Sequence, residues 1–169
     1  MAAESTSFAG HWREWTMQAD LWTYAVELYQ RPGVAIECLA LQEHGANVCL
    51  VLCAAWLEQR AVPYTAERLA GLQAVAQDWS SEVVVGLREL RTRWRAPAQQ
   101  DPALARLREA VKQLELQAEQ VLLERLGNIA QAWPAGTGQA RWIEAVLPAT
   151  IAANDSALGR LRAACSTVF

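Results

Sequence analysis

Glu115 and Glu119 stand four residues apart, with Lys112 one turn before them. On a helix this spacing puts both carboxylates on one face, where they can share a proton or bind a hard cation. That chemistry defines an enzyme reading built on the pair. A di-iron bundle would add a Glu-x-x-His repeat, and neither His11 nor His44 lies three residues after a glutamate. A solvated helix face explains the pair as simply, and it is the expectation. Cys49 and Cys53 share the same four-residue spacing, with Cys38 and His44 just before them. Four such groups could hold zinc, but the paired C-x₂₋₄-C knuckle is missing. Free cysteine often behaves as a small buried hydrophobe, so the expectation is no metal and no cofactor. Cys165 stands apart, near the C-terminus.

Arginine and tryptophan supply the other candidates. In Arg88-Glu-Leu-Arg-Thr-Arg-Trp-Arg95, helical spacing brings Arg88, Arg91 and Arg95 to one face with Trp94 beside it. Such a face can grip phosphates, yet the chain carries a net charge of −3, so nucleic acid is not the expected partner. Eight tryptophans are many for 169 residues. Most should fill gaps between helices, while Trp12 and Trp15, in an N-terminal arm over residues 1–19, read as an interaction surface. A small apolar ligand could sit between helices against Trp22, Tyr29, Cys53 and Trp56. The amides of Gln42 and Asn47 flank the turn in LQEHGAN and must find partners if buried, and they are added to that candidate site.

These residues need helices to position them. Apolar residues make up 53% of the chain, charged residues 20%, and there are only six prolines and nine glycines, a composition that excludes disorder and argues against an all-β domain. The spacing predicts a single all-α domain over 20–169, a bundle of six or seven helices. Asp20 caps Leu21–Gln30, Arg31-Pro32-Gly33 breaks it, and Val34–Glu43 follows. Asn47 caps Val48–Gln59, which is apolar on nearly every side and therefore central. Pro63 and Thr65 open the next helix, with a break near Ser80-Ser81 and a further stripe from Val83 to Trp94. Asp101-Pro102 starts a long helix to Ala130. Pro134 to Gly138 is a loop, followed by shorter helices over Gln139–Ala153, kinked or ended near Pro148, and Ser156–Ser166, with a break at Asn154-Asp155 between them.

On the long helix, Leu104, Leu107, Val111, Leu114, Ala118, Val121, Leu122 and Ile129 share one arc, read as core-facing. Leu116 and Leu123 lie on a second face, covered either by the C-terminal helices through Trp142, Ile143 or Leu161, or by a partner. Residues 1–84 carry ten acids and four arginines, and residues 85–169 carry eight acids, ten arginines and one lysine. The halves are expected to satisfy each other internally.

LWTYAVELYQRPGV (Leu21–Val34), CLALQEHGANVCLVLCAAWL (Cys38–Leu57), Trp79 with Val83-Val84, the arginine segment to Arg95, and LREAVKQLELQAEQVLLERL (Leu107–Leu126) resemble an uncharacterised proteobacterial helical family, a domain of unknown function. The match spans about residues 20–130 and rests most on the Leu-Gln…Gly-x-(Asp/Asn)-Val-(Asn/Cys)-Leu-Leu core. The resemblance implies a cytoplasmic all-α fold and transfers no site. The first twenty residues have no apolar h-region and no run suffices to span a bilayer, so a cytoplasmic protein without membrane contact is expected. The leading expectation is a non-catalytic adaptor or regulator acting on a protein partner or on itself, through Trp12, Trp15, Arg88, Arg91, Arg95, Leu116 and Leu123. The alternatives are the apolar-ligand module and the enzyme using Glu115 and Glu119.

Overall fold

The computed structural model describes residues 20–149 together with Gly159, Arg160, Arg162, Ala163 and Cys165. Trp12, Trp15, the Asn154-Asp155 break and Leu161 lie outside the described residues. Among those described the fold is all-α, with no strand. Side chains set most helix starts. Asp20 Oδ1 accepts from the Thr23 amide at 2.8 Å and opens α1 (Leu21–Tyr29). Gly33, in the left-handed region at φ 86°, turns the chain into α2 (Val34–Glu43). Asn47 Oδ1 accepts from Leu50 at 3.2 Å to cap α3 (Val48–Gln59), and Thr65 Oγ1 does the same for Arg68 at 3.2 Å in α4 (Ala66–Trp79). Asp101 accepts from both Ala103 and Leu104 at the start of the 29-residue α6 (Pro102–Ala130).

The core is built around α3. Val51, Cys53 and Leu57 are fully buried in it, because the helix packs against α1, α6 and the short α7 (Trp142–Val146), with lesser contacts to α2 and α4. Trp142 completes this layer. It is fully buried, donates from Nε1 to the Val62 carbonyl at 2.8 Å, and stacks on Trp133 at 5.9 Å between ring centroids. Arg60, at the end of α3, reaches across to the carbonyls of Ala130, Gln131 and Trp133 and so caps the C-terminus of α6. The loop after α6 packs close to Pro63, where a Cβ on Gly136 would come within 2.6 Å of its ring.

Two expectations need correction. The chain does not break at Ser80-Ser81: a π-helical turn over Ser80–Val84 carries α4 directly into α5 (Val85–Arg93). Such a turn holds one residue more than regular helix, which explains why the apolar phase shifts there. The helix expected from Gln139 begins at Trp142 as α7 and ends before Pro148, as expected, because Leu147, just before that proline, is pushed into extended backbone at ψ 143°.

The buried arc of α6 is also rotated. Leu107, Leu114 and Ile129 are exposed, and the buried residues are Val111, Glu115, Ala118, Leu122, Leu123, Leu126, Gly127 and Ala130. The reason is that α5 covers the first half of α6 while α1 and α3 cover the second, so no single apolar arc serves both. Leu123 is therefore buried beside Trp22 and Trp56 rather than sharing an open face with Leu116, which is 51% exposed. The C-terminal lid expected from Trp142 and Ile143 is not over this face, since α7 packs on α3.

Candidate functional site

Arg88, on the third turn beyond Ser80-Ser81, points into the angle between α5 and α6. Its Nε donates to Glu115 Oε1 at 2.9 Å, and its Nη2 to Glu119 Oε1 at 2.9 Å. With its amide turned so that the oxygen faces the guanidinium, Gln42 accepts from Arg88 Nη1 at 3.0 Å. Arg91 donates to both oxygens of Glu115, from Nε to Oε2 and from Nη2 to Oε1 at 3.2 Å. Two guanidiniums thus balance two carboxylates. Glu115 is only 6% exposed, so the expected solvated face is overturned: the carboxylate is buried because α5 supplies its partners.

The two glutamates differ in their electrostatics. Burial pushes the Glu115 carboxyl up, but hydrogen bonds from Arg91 and Arg88 outweigh it and hold the group below the usual range. Burial pushes Glu119 above its usual range, opposed by Arg88 and reinforced by Glu115. Each carboxylate has an arginine as its nearest charge. This arrangement fixes Arg88 in place and is poorly suited to sharing one proton between the two acids.

Beside this cluster opens a cavity of about 260 Å³. Its walls combine Gln42, Asn47, Cys49, Gln77, Ser80, Ser81, Arg88 and Glu119 with the apolar Ala46, Val48, Val84, Val85 and Leu122. Asn47 caps α3 with its oxygen and donates from Nδ2 to Ser80 Oγ at 2.9 Å, so the α2–α3 turn and the π turn are bonded across the cavity. The turn itself depends on Gly45 at φ 88°. The two amides singled out in the sequence therefore belong to one polar site. Ser80, Ser81 and Gln77 were not singled out; their one signal was a pair of serines inside a helical pattern, which read as a break.

The other candidates fall elsewhere. Trp22 and Trp56 share a separate groove of about 590 Å³ with Arg60, Asn128 and Gln131, where Arg60 lies 4.2 Å over the Trp56 ring. Cys53 is fully buried beneath the core and Tyr29 is not in this groove, so the apolar pocket drawn from all four does not form. Tyr29, 41% exposed, is pushed up by partial burial, then by Cys38 and by Glu119. Arg88 and Arg91 turn inward to the glutamates and leave the expected basic face. Arg95 alone of the three stays exposed, in a shallow hollow with Arg108.

Burial pushes the Cys38 and Cys53 thiols up to about 12 and moves Cys49 the same way, so all three stay protonated at neutral pH. Among the described residues no cluster of three or more His, Cys, Asp or Glu side chains is placed to hold a metal ion, and no helix is long and apolar enough to cross a membrane.

Fold and site together describe an all-α protein with a small cavity of mixed polar and apolar lining, walled by the α2–α3 turn, a π turn and an arginine–glutamate cluster. The chain belongs to the family described as Protein of unknown function (DUF2390), whose profile matches residues 20–126. That span contains every residue lining the cavity. No curated protein and no solved structure matches the chain.

Proposed function

We propose that this chain is a non-catalytic protein of the bacterial cytoplasm that binds a small neutral molecule in the cavity beside Arg88. One observation carries the reading: polar groups of Gln42, Asn47, Gln77 and Ser80 share the cavity wall with apolar side chains, and its charges cancel. Arg88 and Arg91 are matched by Glu115 and Glu119, so no net charge is left to attract an ion. The wall instead offers an acceptor in Glu119 and hydrogen-bonding groups in Asn47, Ser80 and Gln77. A molecule with a donor beside an acceptor, such as an amide or a nucleobase edge, suits this set. The volume, about 260 Å³, lies just below that of drug-sized ligand sites and suits a small molecule. The hydrogen-bonding groups on this mixed wall favour this class over the purely apolar ligand expected from the sequence. The free cysteines support the cytoplasmic placement, and the bacterial one follows the family resemblance.

Thermal melts with uracil, adenine and nicotinamide, set against acetate and phosphate, test the reading. At least one neutral compound should raise the midpoint by several degrees, and Ser80→Ala with Gln77→Ala should abolish the rise in a protein that still folds. A rise with the two anions alone, or with none of the five, overturns it. A second reading, an adaptor or regulator acting through protein contacts, is favoured by the exposed Leu107 and Leu114 of α6.

A further inference from the structure

The exposed side of α6 carries a pattern that its own chain leaves unpartnered among the described residues. Ala103, Leu107, Ala110, Leu114, Gln117 and Val121 follow one another at spacings of four, three, four, three and four. That is a heptad seam, and it lies about 90° around the helix from the arc buried against α5. Leu107 is 56% exposed and Leu114 51%; Ala103, Ala110 and Gln117 are exposed, and Val121 is half-buried. No charged residue occupies the seam.

We infer that this seam pairs α6 with α6 of a second copy of the chain, antiparallel, across a two-fold axis beside Lys112. The inference rests on the protein-contact reading above and is independent of the cavity. What selects the occupant is the alternation of large and small residues. In an antiparallel pair the layers match Leu114 with Ala110 of the second copy, Val121 with Ala103, and Leu107 with Gln117, each then repeated by symmetry. Every large side chain meets a smaller or flexible one, so the seam is complementary to itself in this direction. A parallel pair would instead set Leu against Leu and Ala against Ala, leaving gaps at the alanine layers. Along the flank, Gln113 meets its own copy at the axis and Arg106 meets Gln120, so no like charges oppose. Six layers over 103–121 give a contact about 27 Å long.

The full-length chain tests this by light scattering over a concentration series, with crosslinking to read direction. The wild type should dimerise, and Leu107→Glu with Leu114→Glu should be monomeric with an unchanged far-ultraviolet spectrum, since both leucines are already exposed. In a Cys165→Ser background, Gln113→Cys should crosslink between copies through a short bismaleimide. Ala103→Cys should not, because the two copies of that residue would lie about 27 Å apart. A monomeric wild type overturns the inference, whether the seam is then covered by this chain or by another protein. So does a dimer indifferent to the glutamates, or a crosslink through position 103. Should the double glutamate variant not fold, Ala110→Glu tests the same seam at a layer where the wild-type side chain is small. Loss or retention of the ligand-dependent melting shift reports separately on the cavity.

Discussion

At the scale of single residues, Glu115 and Glu119 do opposite things to stability although they bind the same arginine. The folded state holds Glu115 below its unfolded value, so its contribution is present above about pH 4 and is lost as the pH falls through the depressed value. Glu119 is raised, so its favourable term is complete at acid pH and disappears as the pH rises through the raised value. Glu115→Gln should therefore destabilise the protein by about 2 kcal/mol at pH 7, and the deficit should shrink by pH 3. Glu119→Gln should leave stability at pH 7 unchanged or slightly higher. Urea unfolding of both variants at the two pH values checks the pair of signs. Equal losses at pH 7 would show that the two carboxylates share one environment. None of this was legible in the sequence. Arg88 and Glu115 are 27 residues apart, and a four-residue spacing reads the same whether a carboxylate faces water or an arginine on the next helix.

At the scale of elements, caps and breakers were well marked and covering surfaces were not. Asp101-Pro102, Asn47 and Gly33 announce helix starts because their chemistry is local. Which arc of α6 is buried depends on where α5 and α1 lie, and periodicity along one helix carries no information about that. The π turn was missed for a related reason: a phase shift with two serines looks like an end when read one residue at a time.

The two sites where glycine meets its neighbours most differently give a further test. Gly136→Ala should lower stability by about 1–3 kcal/mol, because its Cβ would come within 2.6 Å of Pro63 and the loop must move. Gly71→Ala, in α4 with nothing within 4 Å, should raise it by up to about 1 kcal/mol through helix propensity. Paired melting curves would decide it, and a stabilised Gly136→Ala would mean that the loop does not rest on Pro63.

For the whole molecule, the apolar run Val48–Leu57 located the centre of the bundle correctly, since a helix without a polar side has to be surrounded. Leu52→Asp should then give no soluble folded protein, and an unchanged melting point for that variant would place the core elsewhere. The charge asymmetry between the halves is realised in part. Arg160 meets Glu37 at 2.5 Å and Arg162 lies 3.8 Å from Glu58, tying late residues to early helices. The densest ion cluster, however, forms within the second half, where total charge could not reveal it.

The π turn has a consequence for how this chain can vary in length. Everything from Val85 onward inherits its angular setting from the supernumerary residue in Ser80–Val84. Losing one position there would restore an ordinary helix and swing Arg88 by about 100°, away from Glu115, Glu119 and Gln42 at once. Substitutions in this stretch should be tolerated more readily than a single deletion. Kin of this chain are thus expected to vary here in letters while keeping the count.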